Sequence, residues 1–156
     1  DDHAALMALI GTRGRALKTD GYAAAVDQAK RSGPGEGLFV LIDPPFERAD
    51  DYVNVVRCLR DVMAAKPEAV CAVWLPLKDL ETLDSFVRRW EAEPPAPLSS
   101  VEARLRPLTD PMKMNGCVLA LVNVPEAAQA RVEAIAGAVV AALGAPGGLA
   151  KRWTAG

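Results

Sequence analysis

Leu38-Phe39-Val40-Leu41-Ile42-Asp43-Pro44-Pro45-Phe46 is the stretch that decides how the rest of the chain is read. Five consecutive apolar residues with no polar alternation are the pattern of a strand covered on both faces. Two prolines in series then lock an extended path and remove two N–H donors, so the following loop offers mainly carbonyl acceptors. Residues 38–43 are therefore expected as a central strand, with Asp43 at its carboxyl end, where open α/β sheets collect ligands.

Outward from this stretch, helical and strand-like periods alternate, the pattern of an α/β layer fold. After Asp50, a candidate N-cap, Val55, Val56, Leu59, Val62 and Met63 recur at the helical interval up to Pro67. Val70 to Leu75 reads as a second buried strand. Asp79 can cap a helix striped by Leu80, Leu83, Phe86, Val87 and Trp90, which ends before Glu93-Pro94-Pro95-Ala96-Pro97. Val101 to Leu108 alternates apolar and charged residues and is expected half-exposed near a sheet edge. It should pair antiparallel with an apolar strand at 117–123. Pro125 opens a helix striped by Val132, Ile135, Val139, Val140 and Leu143; the tail through Trp153 fits no single period.

Before the deciding strand, residues 2–10 read as a helix stopped at Gly11. Ala16 and Leu17 make a short strand candidate ending at Asp20-Gly21, and Tyr22 to Arg31 makes a helix broken at Gly33-Pro34-Gly35. The sheet is expected to be mostly parallel, with 38–43, 70–75 and 117–123 at its centre and an antiparallel C-terminal hairpin.

Length and composition set bounds on function. The 156 residues, 51% hydrophobic and 24% charged, suit one globular domain over 1–156. A net charge of −2 excludes holding nucleic acid by a broad basic field, so any such role needs a local site. The longest apolar runs fall far short of the roughly 20 residues that cross a bilayer. No secretory leader is visible, the first residue is Asp, and a trimmed or partial cytoplasmic chain is expected. Cys58, Cys71 and Cys117 lie apart within apolar segments and read as buried reduced thiols. The one histidine, His3, stands far from any of them, so neither a zinc site nor a Ser/His/Asp triad is expected.

Chemistry concentrates at Asp43-Pro44-Pro45-Phe46. A carboxylate beside a rigid carbonyl can accept both hydrogens of an exocyclic base amine, and a neighbouring aromatic ring can stack on the base. The plainer alternative is that Asp43 caps the next helix and Phe46 packs in the core. Position after a buried strand favours the functional reading.

Leu41-Ile42-Asp43-Pro44-Pro45-Phe46-Glu47 resembles the catalytic motif of N6-adenine methyltransferases. Ala72-Val73-Trp74-Leu75-Pro76-Leu77-Lys78 resembles a Trp-Tyr-Pro strand, and Met114-Asn115-Gly116-Cys117 with Val122-Asn123 resembles a last-strand hairpin. Together they resemble the J-type large-subunit ribosomal RNA adenine-N6 methyltransferases, over nearly all of this chain but only the C-terminal part of that family. The resemblance implies a partial Rossmann-like class I methyltransferase fold, S-adenosylmethionine as cofactor, and protein-free or partly assembled ribosomal RNA as partner. It implies that Asp43 and the Pro44 carbonyl accept from the adenine amine, that Pro45 stiffens the loop and that Phe46 stacks on the base. Asp20-Gly21-Tyr22 matches the family's cofactor-adenine turn, a role compatible with Asp20 as a helix N-cap.

Two departures accompany these matches. Asn123-Val124-Pro125-Glu126 stands where the family has Asn-Pro-Pro-Trp, removing an aromatic contact expected of that loop. No glycine-rich strand-to-helix turn is present, and Gly11-Thr12-Arg13-Gly14 follows a helix and cannot replace it. In the strand order 3-2-1-4-5-7-6 implied by the resemblance, the segment ending at Asp20 would be third and that ending at Asp43 fourth. The N-terminal cofactor-binding half is then expected to be absent. A non-enzymatic fragment, a degenerate homologue, or an adenine-N6 methyltransferase acting on DNA remain open from the sequence.

Overall fold

The computed structural model describes residues 2–48, 50–109 and 114–155. Its elements run α1 (Asp2–Ile10), a 3-10 turn (Gly11–Arg13), α2 (Gly21–Arg31), β1 (Phe39–Ile42), α3 (Asp51–Ala65), β2 (Val70–Leu77), α4 (Leu80–Ala92), β3 (Leu98–Arg104), β4 (Gly116–Val122), α5 (Glu126–Leu143) and β5 (Leu149–Ala155). The helices and strands around the deciding stretch lie where the apolar periods put them. The five strands form one sheet in the order β1-β2-β4-β3-β5.

The sheet is not mostly parallel. Only β1 and β2 pair parallel, Phe39 opposite Val70 through Ile42 opposite Val73, while β2–β4, β3–β4 and β3–β5 are antiparallel. An apolar run says that a strand is buried but not which way it points, and β4 returns between β2 and β3 against both. The expected hairpin is present, with Leu98 opposite Val122 and Arg104 opposite Gly116. It does not lie at the sheet edge, because the tail forms β5 and covers β3, leaving Leu98 to Glu102 buried.

The deciding strand is not central either. β1 is an edge strand, with Val40 and Ile42 buried and Phe39 and Leu41 62% and 60% exposed. Residues 16–19 form no strand: without a neighbour to take up its backbone groups, an isolated strand has no stability of its own. This coil instead folds back on α1, where Ala16 N donates to Met7 Sδ at 3.2 Å and Ala16 O lies 3.2 Å from His3 Nε2.

One face of the sheet carries the larger core. Val55, Leu59 and Val62 of α3, and Phe86 and Trp90 of α4, are fully buried with Cys71, Val73 and Leu75 of β2 and Leu98 of β3. Trp90 Nε1 donates to Ala96 O at 3.2 Å, so this indole satisfies its one donor within the connector that follows its helix. On the other face α5 packs over β3 and β5 through small residues, Ala136 against Ala72, Val101 and Leu121. The expected stripe of α5 is therefore largely unburied: Ile135 is 63%, Val139 39% and Leu143 72% exposed. Among the described residues no helix is long and apolar enough to cross a membrane.

Candidate active site

β1, β2 and β3 point the same way, so their carboxyl ends share one end of the sheet with the amino ends of α3 and α4. Asp43 stands there, exposed, followed by half-buried Pro44 and exposed Pro45. Asp20, Gly21 and Tyr22 open α2 beside it. One pocket of about 310 Å³ is lined by Asp20, Gly21, Tyr22, Asp43 and Pro44, with Ala25, Cys58 and residues 40–42 of β1 completing its wall. Pro45 lies outside it, in an adjoining groove of about 730 Å³ between α2 and α3 that also holds Arg48 and Asp51.

Asp20 is a helix N-cap as well as a pocket residue: its Oδ1 accepts from Ala23 N at 2.8 Å and its backbone carbonyl from Ala24 N at 3.0 Å. Tyr22 turns its ring into the core, and its phenol oxygen is buried without a hydrogen-bond partner among the described residues. Burial first, then the nearby Asp51 carboxylate, Cys58, Asp20 and Asp50, push the Tyr22 phenol pKa up. Cys58, 3.8 Å from the Tyr22 carbonyl, has its thiol pushed up to about 12, chiefly by burial. It is a neutral packing group in the pocket wall rather than a nucleophile.

Phe46 is placed differently from its neighbours. It is 8% exposed, its ring centroid lies 4.7 Å from that of Tyr52, and its φ is +51°. A bulky side chain in left-handed backbone is sterically disfavoured, so the surroundings must hold it there. Tyr52 supplies the packing, and Asp51 supplies the clamp: its Oδ2 accepts from Arg48 N at 2.9 Å, and its own N–H donates to Arg48 O at 3.2 Å. In this conformation Phe46 anchors the loop and presents no open face to a base.

Asp50 does not cap α3 with its side chain, which reaches back to Arg48 Nε at 3.1 Å. Asp51, 6% exposed, does the local bonding, a distinction two adjacent aspartates do not reveal in sequence. Asp79 caps α4 as expected, accepting from Thr82 N at 2.7 Å. Burial, then the Asp79 and Asp51 carboxylates, raise the Tyr52 pKa.

Asn115 is the residue at this end whose importance the sequence reading missed. It is fully buried; its N–H donates to Leu77 O at 2.9 Å, its Nδ2 to Lys78 O at 3.0 Å, and its carbonyl accepts from Leu105 N at 2.8 Å. The ends of β2 and β3 are thereby stitched to the start of β4. Gly116 follows because a Cβ there would meet Ala103 O at 2.2 Å. The Asn-Gly pair quoted from the sequence is the available signal, but only the three-strand register gives it a role.

The loop after β4 lies elsewhere. β4 runs antiparallel to β2, so Asn123 emerges at the opposite end of the sheet, where its Nδ2 donates to Pro67 O at 2.7 Å and Ala69 O at 3.0 Å. The substitution of Asn123-Val124-Pro125-Glu126 for the expected aromatic loop therefore removes no contact from the Asp43 pocket.

A family model described as ribosomal RNA large subunit methyltransferase D, RlmJ, matches residues 7–155. The chain belongs to the RlmJ family. A curated RlmJ-type relative, ribosomal RNA large subunit methyltransferase J of Haemophilus influenzae (strain ATCC 51907 / DSM 11121 / KW20 / Rd), is 28% identical over 86 residues, 55% of this chain and 31% of that protein. Among solved structures, protein LPL1258 from Legionella pneumophila str. Philadelphia 1 superposes with a TM-score of 0.70 at 20% identity. The match covers 87% of this chain and 49% of that one, and it shows a shared fold. The RlmJ-family chain thus spans about half the length of the solved relative and less than a third of the curated one.

Proposed function

We propose that this chain is the C-terminal part of a methyltransferase domain that transfers a methyl group to N6 of an adenine in large-subunit ribosomal RNA. The observation that carries the reading is the single pocket shared by Asp43 and Pro44 with the Asp20-Gly21-Tyr22 turn. Two further features support it. The order β1-β2-β4-β3, with β4 reversed, corresponds to the 4-5-7-6 half of the implied methyltransferase sheet. The free edge of β1 is the side on which strands one to three would then lie. A ribosomal RNA substrate places the reaction in the cytoplasm.

S-adenosylmethionine, when bound, would supply the methyl group. The pocket fits one end of this molecule: Asp20 retains an oxygen beyond its N-cap bond that can accept from the cofactor's adenine amine. Its two carboxylates, Asp20 and Asp43, offer nothing to a ligand carboxylate, and no cation lines it among the described residues. The chain by itself is therefore expected to bind the cofactor weakly or not at all, which calorimetric titration would read directly; micromolar binding would refute the assignment of a missing half.

The substrate amine is a poor nucleophile because its lone pair is delocalised into the ring. Asp43 and the Pro44 carbonyl, accepting its two hydrogens, favour the tetrahedral nitrogen that can attack. Asp43 positions and stabilises; the proton can leave after the new N–C bond forms. Pro45 keeps the loop stiff. The stacking role implied for Phe46 requires its ring to leave Tyr52. In the protein carrying this chain with the rest of its domain, Asp43→Ala should abolish transfer of labelled methyl to unmodified ribosomal RNA while leaving the fold intact. Asp43→Asn should be severely impaired, since its amide would donate toward the amine. Near-normal rates in both variants would overturn the assignment.

A further inference from the structure

We propose that Lys78 and Arg106 form a phosphate-binding lip that holds the nucleic-acid backbone next to the target nucleotide. This rests on the methyltransferase reading and adds residues to it. Both side chains are exposed, and among the described residues neither has an ion-pair partner. Among the described residues, nearby charges are committed elsewhere: Arg104 and Lys151 both pair with buried Glu102, and the Asp79 carboxylate caps α4.

The backbones that carry the two cations are fixed side by side. Leu77 is in register with Gly116, and Gly116 with Arg104, so Lys78, Asn115 and Leu105 continue three adjacent strands past the sheet end. Asn115 bonds the Lys78 carbonyl on one side and the Leu105 N–H on the other. The Leu105 carbonyl accepts from Ala145 N at 2.7 Å, which ties Arg106's neighbour to the end of α5. A fully buried asparagine, whose side-chain amide holds the Lys78 backbone while its main-chain carbonyl holds that of Leu105, makes a preorganised platform.

That platform borders the catalytic loop. β1 and β2 pair parallel, so Asp43 and Lys78 each follow a strand that leaves the sheet at the same end. The chain has no net positive charge to hold a polyanion, so two neighbouring unpaired cations at this end of the sheet give locally what a general field does not. Phosphate is the ligand they suit, because two mobile cationic heads over fixed backbones contact the repeating backbone without reading bases.

The test is the salt dependence of binding, measured by fluorescence anisotropy with a labelled single-stranded RNA of about 20 nucleotides. Lys78→Gln and Arg106→Gln should each lower the slope of log affinity against log salt by about 0.7, and the double variant by about 1.4. Arg131→Gln on α5, the same charge change near the other end of the sheet, should leave the slope unchanged. Single-stranded DNA of the same sequence should respond alike, since the contact is to phosphate. An unaltered slope in the double variant, or no salt-dependent binding by the unaltered chain, overturns the proposal. A lowered slope combined with undiminished methyl transfer by Asp43→Ala would instead overturn the catalytic assignment and keep the phosphate contacts.

Discussion

On β2, Ala72 is 7% exposed and Val70 and Trp74 on the same face are half-buried, whereas Phe39 and Leu41 on that face of the adjacent β1 are 62% and 60% exposed. The two strands have nearly the same apolar composition and pair directly. The difference lies in what surrounds them. β2 has β1 and β4 as lateral neighbours, and on this face Ala72 packs in the cluster with Ala136 of α5. β1 has β2 on one side only, and its Phe39 and Leu41 face is uncovered. A strand apolar on both faces that is covered on one face is a surface composed for burial. Its unpaired edge lacks the charges or prolines with which proteins usually blunt such edges. One face of β1 is thus left without cover, while the solved and curated relatives are about twice as long or longer.

The sharpest way to break that comparison is to truncate one large residue in each region. Trp90→Ala, at a side chain with no exposure, should cost about 3–5 kcal/mol of unfolding free energy through lost burial and the cavity left behind. Phe39→Ala in this chain should change stability by less than about 0.5 kcal/mol, because little of the ring leaves water on folding. Urea denaturation of both variants checks this; comparable losses would mean that β1 is covered in solution. Replacing Phe39 and Leu41 together with Lys should preserve the folding midpoint and reduce self-association in analytical ultracentrifugation.

The second contrast is electrostatic. Burial pushes the Cys58 thiol from 9.0 up to about 12 and Cys71 up to about 11. Both groups stay neutral in the folded state while the unfolded chain ionises. The stability they contribute is therefore fully present below about pH 9 and declines as pH rises toward about 11 for Cys71 and about 12 for Cys58. Denaturation midpoints across this range should fall, and less steeply in Cys58→Ala relative to that variant's own neutral-pH value. At pH 8 neither thiol should react with a disulfide reagent until the protein is unfolded.

The smallest expected effect separates two aspartates that look alike in sequence. Asp79→Ala removes an N-cap bond and should cost about 1 kcal/mol. Asp50→Ala removes an exposed side chain that pairs with Arg48 and makes no cap bond, and should leave stability unchanged within error. Equal losses in thermal denaturation would mean that Asp50 caps α3 after all.

Local chemistry was legible in the sequence: the apolar runs read at 38–42, 70–75 and 116–122, which lie within or overlap β1, β2 and β4, the breaks at Gly33-Pro34-Gly35 and Pro67, the Asp79 cap, and Asp43 at a strand end. Each depends on neighbours within a few residues, which is the range over which backbone geometry and side-chain period act. Other features joined residues far apart. The reversal of β4, the cover that β5 gives β3, the exposure of β1 and the turning of Phe46 onto Tyr52 are set by which elements become neighbours. The same holds for Asn115, whose partners Lys78 and Leu105 come from two other strands. An apolar period fixes how much of a strand prefers burial; direction, edge position and the partners of a buried amide are decided only when the strands meet, because hydrogen bonds and packing across the sheet choose among arrangements that local preference leaves equal.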